Sequence, residues 1–258
     1  MVGFFIKKSF FDGWDNLIGM VIHNLGYLLV LLALFGSMGL SQNHMVLSVV
    51  CLILSVGLFA FYTSGVSSSA WAYSKYERSG FEGFKKGLRQ SWRHALLFWV
   101  LTLLDVSLII LVIPFYMSFG NTVGTILSVI LFWVFVGLFL ALMYYFPLSN
   151  VMSGDRPLKT LKKSFLLVFD NLWFSLFLAL DVIISLVLSI FLAGLAPGGC
   201  GILLECQDAT KLLMLKYDYQ EANPEMERKN IPWDDILYDE RECVGHRSLK
   251  NMIFPWKD

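Results

Sequence analysis

Six apolar runs fill most of the sequence, and each has the length a helix needs to cross a bilayer, about 20 residues at 1.5 Å each. They extend from about Leu17 to Leu40, Met45 to Tyr73, Ala95 to Met117, Val123 to Met152, Leu172 to Leu195 and Gly198 to Tyr217, the last being the most polar. Of 258 residues, 57% are hydrophobic and 16% charged, whereas soluble domains carry about 25% charged residues. This pattern excludes an ordinary soluble fold and predicts an all-α membrane protein with six transmembrane helices.

Orientation follows from the basic residues, which are retained on the cytoplasmic side. Lys7 and Lys8 precede the first run. Lys75, Arg78, Lys85, Lys86, Arg89 and Arg93 separate the second from the third, and Arg156, Lys159, Lys162 and Lys163 separate the fourth from the fifth. The alternate loops "GSMGLSQNH", "SFGNT" and "GLAPGG" contain neither Lys nor Arg. A multi-pass protein of the cytoplasmic membrane with both termini cytoplasmic is expected. The basic pair before the first run resembles a secretory signal, but Asp12, Asp15 and Asn16 interrupt it and no small-residue cleavage site follows, so the first span should remain attached.

The chain also repeats itself. "KKSFFDGWDNL" at 7–17 returns as "KKSFLLVFDNL" at 162–172 with seven identities in register, and "KKGLRQSWRHA" at 85–95 is a degenerate copy in which Arg93 and His94 replace Asp-Asn. Each copy stands before an outward-going run. Three tandem hairpin repeats are therefore predicted, at about 4–80, 81–157 and 158–219, each led by a cytoplasmic interfacial amphipathic helix. At 100° per residue, Ile6, Phe10, Phe11, Trp14, Leu17 and Ile18 share one arc, and Lys8, Asp12, Asp15 and Asn16 the other. The aromatic arc suits the acyl boundary, and Lys7, Lys8, Lys85, Lys86, Lys162 and Lys163 suit anionic lipid headgroups. Asp15-Asn16 and Asp170-Asn171 are expected to cap backbone N–H groups where each lead-in turns into a span. In one reading the motif only sets topology; in the other, the basic elbows ring a site for an anionic ligand or lipid.

Acidic residues inside apolar spans are costly and mark candidate sites. Asp105 and Asp181 lie near mid-span, while "LLECQDATKLL", which also carries Gln207, adds Glu205, Asp208 and Lys211 in three-residue steps on a shared helical face. These five are the candidate intramembrane polar site, either a proton- or cation-binding centre or a hydrogen-bonded network that fixes packing. His23 and Asn24 in the first span are expected to satisfy neighbouring backbone or side chains. The small residues of "YTSGVSSSA", 62–70, read as a close helix-packing surface.

Nothing in the chain matches a catalytic, cofactor or metal signature. Cys51, Cys200, Cys206 and Cys243 form no CxxC pair and are read as free thiols. There is no GxGxxG, phosphate-binding loop or zinc-protease motif, so no enzyme activity, cofactor, metal or nucleic-acid partner is expected. Residues 220–258 form a cytoplasmic tail distinct from the 1–219 transmembrane domain, charged and proline-punctuated yet bearing Trp233, Ile236, Tyr238, Phe254 and Trp256. Such clusters read as docking elements, either for a protein partner or for the chain's own cytoplasmic face.

The six spans, the basic elbows and the connection "SGDRPLKTLKKSFLLVFDN" together resemble the YesL-like group of bacterial membrane proteins. The resemblance covers roughly Lys7 to Tyr217 and implies an association with solute uptake, often of carbohydrates, with no catalytic residues to carry over. Two functions follow as expectations: a non-enzymatic accessory or scaffold subunit associated with solute transport, or a small proton- or cation-coupled transporter using the buried acids.

Overall fold

The structure, a computed structural model, describes residues 1–42, 44–225, 231–245 and 247. Its regular elements, among the described residues, are all helices. Five segments have the length and composition to cross a membrane: 17–42, 45–74, 92–117, 122–151 and 172–191. They coincide with the first five expected spans to within a few residues. The chain is an all-α, multi-pass membrane protein.

The helices are α1 (Val2–Asp15), α2 (Leu17–Gly39), α3 (Met45–Ser74), α4 (Phe81–Gln90), α5 (Trp92–Ser107), α6 (Ile113–Met117), α7 (Thr122–Val151), α8 (Pro157–Asp170), α9 (Leu172–Phe191), α10 (Gly198–Ala222), α11 (Trp233–Ile236) and α12 (Tyr238–Val244). A single π turn at 108–112 joins α5 to α6. Pro114 accounts for it, because proline has no N–H to give and its ring crowds the carbonyl four residues back.

Outward faces are apolar: Ile18, Val46, Trp173 and Phe191 are each about four-fifths exposed. In water such a surface would be an aggregation hazard; against lipid it costs nothing. Inward faces are small and polar. Ser64, Gly65, Ser67, Ser69 and Ala70 on α3 are buried, so α2, α4, α5 and α10 approach its backbone closely. Phe84 and Leu88 of α4 lie over Gly65, and the Trp99 indole lies over Gly57 while donating to the Ile53 carbonyl at 2.9 Å. The small-residue packing surface expected at 62–70 is present.

α10 differs from the other long helices. At 25 residues it is long enough to cross, but Glu205, Asp208, Lys211, Lys216 and Asp218 make it too polar to face lipid, and most of 200–213 is buried. It runs antiparallel to α9 and serves as the internal pillar of the bundle. Gln207 donates to Ser67 Oγ at 2.9 Å, as does Asn150 of α7, so one serine on α3 ties three helices together.

The α9–α10 turn reaches only part-way along α2. Asn24, the eighth residue of α2, donates to the carbonyls of Leu195 (2.9 Å) and Pro197 (2.8 Å) and accepts from the Cys200 N–H at 2.8 Å. α2 continues about 22 Å beyond Asn24. Gly198, at φ +61, is pressed against this amide, where no Cβ fits. Asn24 therefore does what was expected of it and satisfies backbone, in this case the exposed start of a helix set inside the bundle.

The elbows are built differently from expectation. Neither Asn16 nor Asn171 caps the following helix through its side chain. Each amide instead donates backward to a carbonyl of the preceding helix, Asn16 to Asp12 (2.9 Å) and Asn171 to Leu167 (3.1 Å). The two bonds are equivalent in the repeated phrase. The first carbonyls left over by a helix end are as needy as the N–H groups of the next, and an amide four residues on reaches them more easily. In the middle copy the break falls at Ser91, so Arg93 and His94, aligned with Asp-Asn by sequence, lie inside α5.

Candidate functional site

Lys8 overturns the simple amphipathic picture of α1. Lys8 and Asp12 sit on the buried face with Phe5 and Phe11, while Ile6, Phe10, Trp14 and Ile18 point outward. A helix whose outer surroundings are apolar reverses the usual pattern, with its charges turned inward to partners. Lys8 Nζ is wholly enclosed. It donates to Asp12 Oδ2 (2.6 Å), Tyr76 OH (2.9 Å) and the Ser74 carbonyl (3.1 Å), and lies 3.2 Å from Glu240 and 3.5 Å from Asp208.

The cluster joins four parts of the chain: α1, the end of α3, α10 and α12. Lys211 bonds Glu240 Oε1 at 2.6 Å and the Ser74 carbonyl at 2.9 Å, and Tyr76 OH donates to Glu240 Oε2 at 3.0 Å. The Tyr76 ring lies 4.3 Å from Lys8 Nζ and 5.1 Å from Lys211 Nζ, which favours both cations. Tyr76 pays for this position with a left-handed backbone, φ 63. Burial pushes the Asp12 carboxyl upward against the pull of Lys8. For Lys8, burial pulls downward, but Asp208, Asp12 and Glu240 outweigh it and hold the ammonium charged far above the ordinary lysine range. Asp12 and Asp208 both face Lys8, and Asp12 Oδ1 and both Asp208 oxygens have no hydrogen-bond partner of their own. Two lysines thus face three carboxyl groups in one enclosed cluster.

The tail closes this cluster. Leu237 and Val244 are completely buried, and Trp233 and Ile236 pack against the same core as Phe5 and Leu212. Lys7 donates to the Gly245 carbonyl at 2.8 Å, and Arg247 pairs with Asp15 at 2.8 Å. Residues 231–245 and Arg247 thus dock on the chain's own α1 and α10, while Tyr238 remains exposed. Phe254 and Trp256 lie outside the described residues.

The four acids and one lysine expected to form one intramembrane centre are distributed over three places. Asp208 and Lys211 belong to the Lys8 cluster. Glu205 accepts from Ser185 of α9 at 2.5 Å, near the half-buried Asp181. Asp105 lines a separate cavity. The Asp170-Asn171 elbow is held by the end of α10, where Lys216 Nζ reaches Asn171 Oδ1 at 2.6 Å and Tyr217 OH bonds both Asn171 and Asp170. Lys85, Lys86 and Lys162 are exposed, and Lys163 pairs with Asp155 at 2.5 Å. Lysine bonds from Lys159 and Lys163 hold the Asp155 carboxyl below the usual range. Tyr76, Lys216, Tyr217 and Glu240 carry no sequence signal of their own; Asp12 does, standing four residues after Lys8 inside the repeated phrase.

The cavity lies between α2, α3, α5, α7, α9 and α10, at the level of the α9–α10 turn, and measures about 550 Å³. Its wall is aromatic and aliphatic, with Tyr27, Phe59, Phe98, Phe139 and Phe146 prominent. Among the described residues, Asp105 is the one acidic or basic side chain in that wall. Among the described residues no group of three His, Cys, Asp or Glu side chains is arranged for a metal ion. No family model, curated protein or solved structure matches the chain.

Proposed function

We propose that this protein carries a small, largely apolar solute in the membrane, bound in the cavity beside the α9–α10 turn. The cavity is the observation that carries the reading. Its volume falls within the roughly 300–1,000 Å³ usual for small-ligand sites. A turn and a helix start set inside a membrane bundle are tolerated where they are buried in protein or line a cavity, and membrane carriers commonly bind at such interrupted helices. The implied link to solute uptake in the YesL-like resemblance points the same way.

In this reading α10 returns the chain as the sixth crossing and both termini are cytoplasmic. What supports it is the contact of the tail with α1 after five apolar helices, together with the basic residues confined to alternate connections. The backward bonds at Asn16 and Asn171 support a repeated hairpin unit. The outward rows Ile6, Phe10, Trp14 on α1 and Leu166, Phe169, Trp173 at the α8–α9 elbow support helices that rest in the interface. Of the tail's candidate docking residues, Trp233 and Ile236 pack on the chain's own core, which favours self-docking of that segment over a partner's grip.

Leu142 of α7 faces the cavity, and Leu142→Trp should fill part of it. Native mass spectrometry of protein extracted from its own membranes is expected to find a small molecule bound to the wild-type chain and much less on Leu142→Trp. Equal occupancy in both, or none in the wild type, would count against a carrier of this kind.

A further inference from the structure

We propose that the solute is a lipophilic amine, its ammonium held by Asp105 and Thr102 and its apolar body by the aromatic wall; this rests on the carrier reading above. The cavity's other polar side chains are already engaged. Asn24 is taken up by three backbone groups, Thr63 Oγ1 accepts from Tyr27, and Ser189 Oγ accepts from the Gly198 N–H. Two buried atoms remain without a hydrogen-bond partner: Thr102 Oγ1 and Asp105 Oδ1. They belong to residues three apart on α5, one helical turn on the same face, and both residues line the cavity.

Asp105 is 7% exposed and has no lysine or arginine in the wall with it. A carboxylate buried without a counter-charge is costly, so a ligand that brings a positive charge gains where others do not. An ammonium also supplies N–H donors for the Asp105 carboxylate. The rings of Tyr27, Phe59 and Phe98 favour a cation over their faces. An alcohol of the same length supplies a donor without the charge, and a fatty carboxylate would bring a second negative charge to Asp105.

The test uses the full chain in lipid nanodiscs and three eight-carbon probes, octylamine, octanol and octanoate, titrated by calorimetry against empty nanodiscs. The wild type is expected to bind octylamine at least tenfold more tightly than octanol, with octanoate weakest. Asp105→Asn should bring octylamine to the level of octanol, and Thr102→Val should weaken octylamine and octanol several-fold. If all three probes bind alike, or Asp105→Asn keeps the preference for octylamine, the amine assignment is overturned while a carrier cavity stands. If no probe binds the wild type above empty nanodiscs, the carrier reading itself fails. Should Asp105→Asn not fold, the headgroup order in the wild type and the loss in Thr102→Val decide.

Discussion

Lys8→Met is expected to destabilise the protein by about 3–5 kcal/mol, the range seen when one partner of a buried ion pair is removed. Methionine fills most of the lysine's volume, so the loss comes from charge. Asp12, Asp208 and Glu240 would keep only Lys211 for company, three carboxyl groups against one cation. Thermal unfolding in mild detergent should show the loss. Hydrogen exchange should show 231–245 opening first, since Glu240 is the tail's charged link to Lys8 and Lys211. Adding Asp12→Leu to Lys8→Met should recover part of the stability, because it removes a carboxyl left without its partner; no recovery would mean that lysine packing, not charge, is what matters. Acid should act in the same direction. Burial raises the Glu240 carboxyl, but the Lys211 bond and the charges of Lys8 and Lys211 outweigh it and hold it below the ordinary value. Its contribution is therefore present above the ordinary glutamate range and lost as pH falls through the depressed value.

Asn24→Leu should be nearly as damaging. The substitution keeps the branched outline of the side chain and removes three hydrogen bonds at once, leaving the Leu195 and Pro197 carbonyls and the Cys200 N–H inside the bundle without their partner. Each such buried group costs about 1–3 kcal/mol, so a loss of about 3 kcal/mol or more is expected. Asn24→Asp should rescue little, because a carboxylate accepts from Cys200 but donates to neither carbonyl. Chemical denaturation of the three proteins checks this; near wild-type stability for Asn24→Leu would mean that the α10 start does not depend on α2.

The spans were legible because lipid imposes a long, one-dimensional apolar pattern on the sequence. Leu17, Met45 and Leu172 begin helices where that pattern begins. The inward faces left less trace. Small residues at 62–70 announce close packing without naming the partner, and Asn24 announces a polar need without showing that the start of α10 meets it 174 residues later. The assignment of Lys8 and Asp12 to a water-facing arc failed for a physical reason. Helical periodicity separates two faces but does not say which of them looks inward, and in a membrane the charged one often does. Asp105, Asp181, Glu205 and Asp208 were recognisable as costly groups, yet their grouping depends on where α10 starts along α2, which no local pattern encodes. The tail's docking depends on Glu240 finding two lysines from distant helices, and that is a property of the fold alone.

The proposed topology has the chain start and end on the cytoplasmic side. Cys243 tests this directly, because it is exposed on α12 while Cys200 and Cys206 are buried. A membrane-impermeant maleimide, with the labelled peptide identified by mass spectrometry, should modify Cys243 in inside-out vesicles and leave it untouched in right-side-out ones. Labelling of Cys243 from the outer side would place the tail, α1 and the Lys8 cluster across the membrane from where the basic residues put them, and would contradict the topology on which the carrier depends.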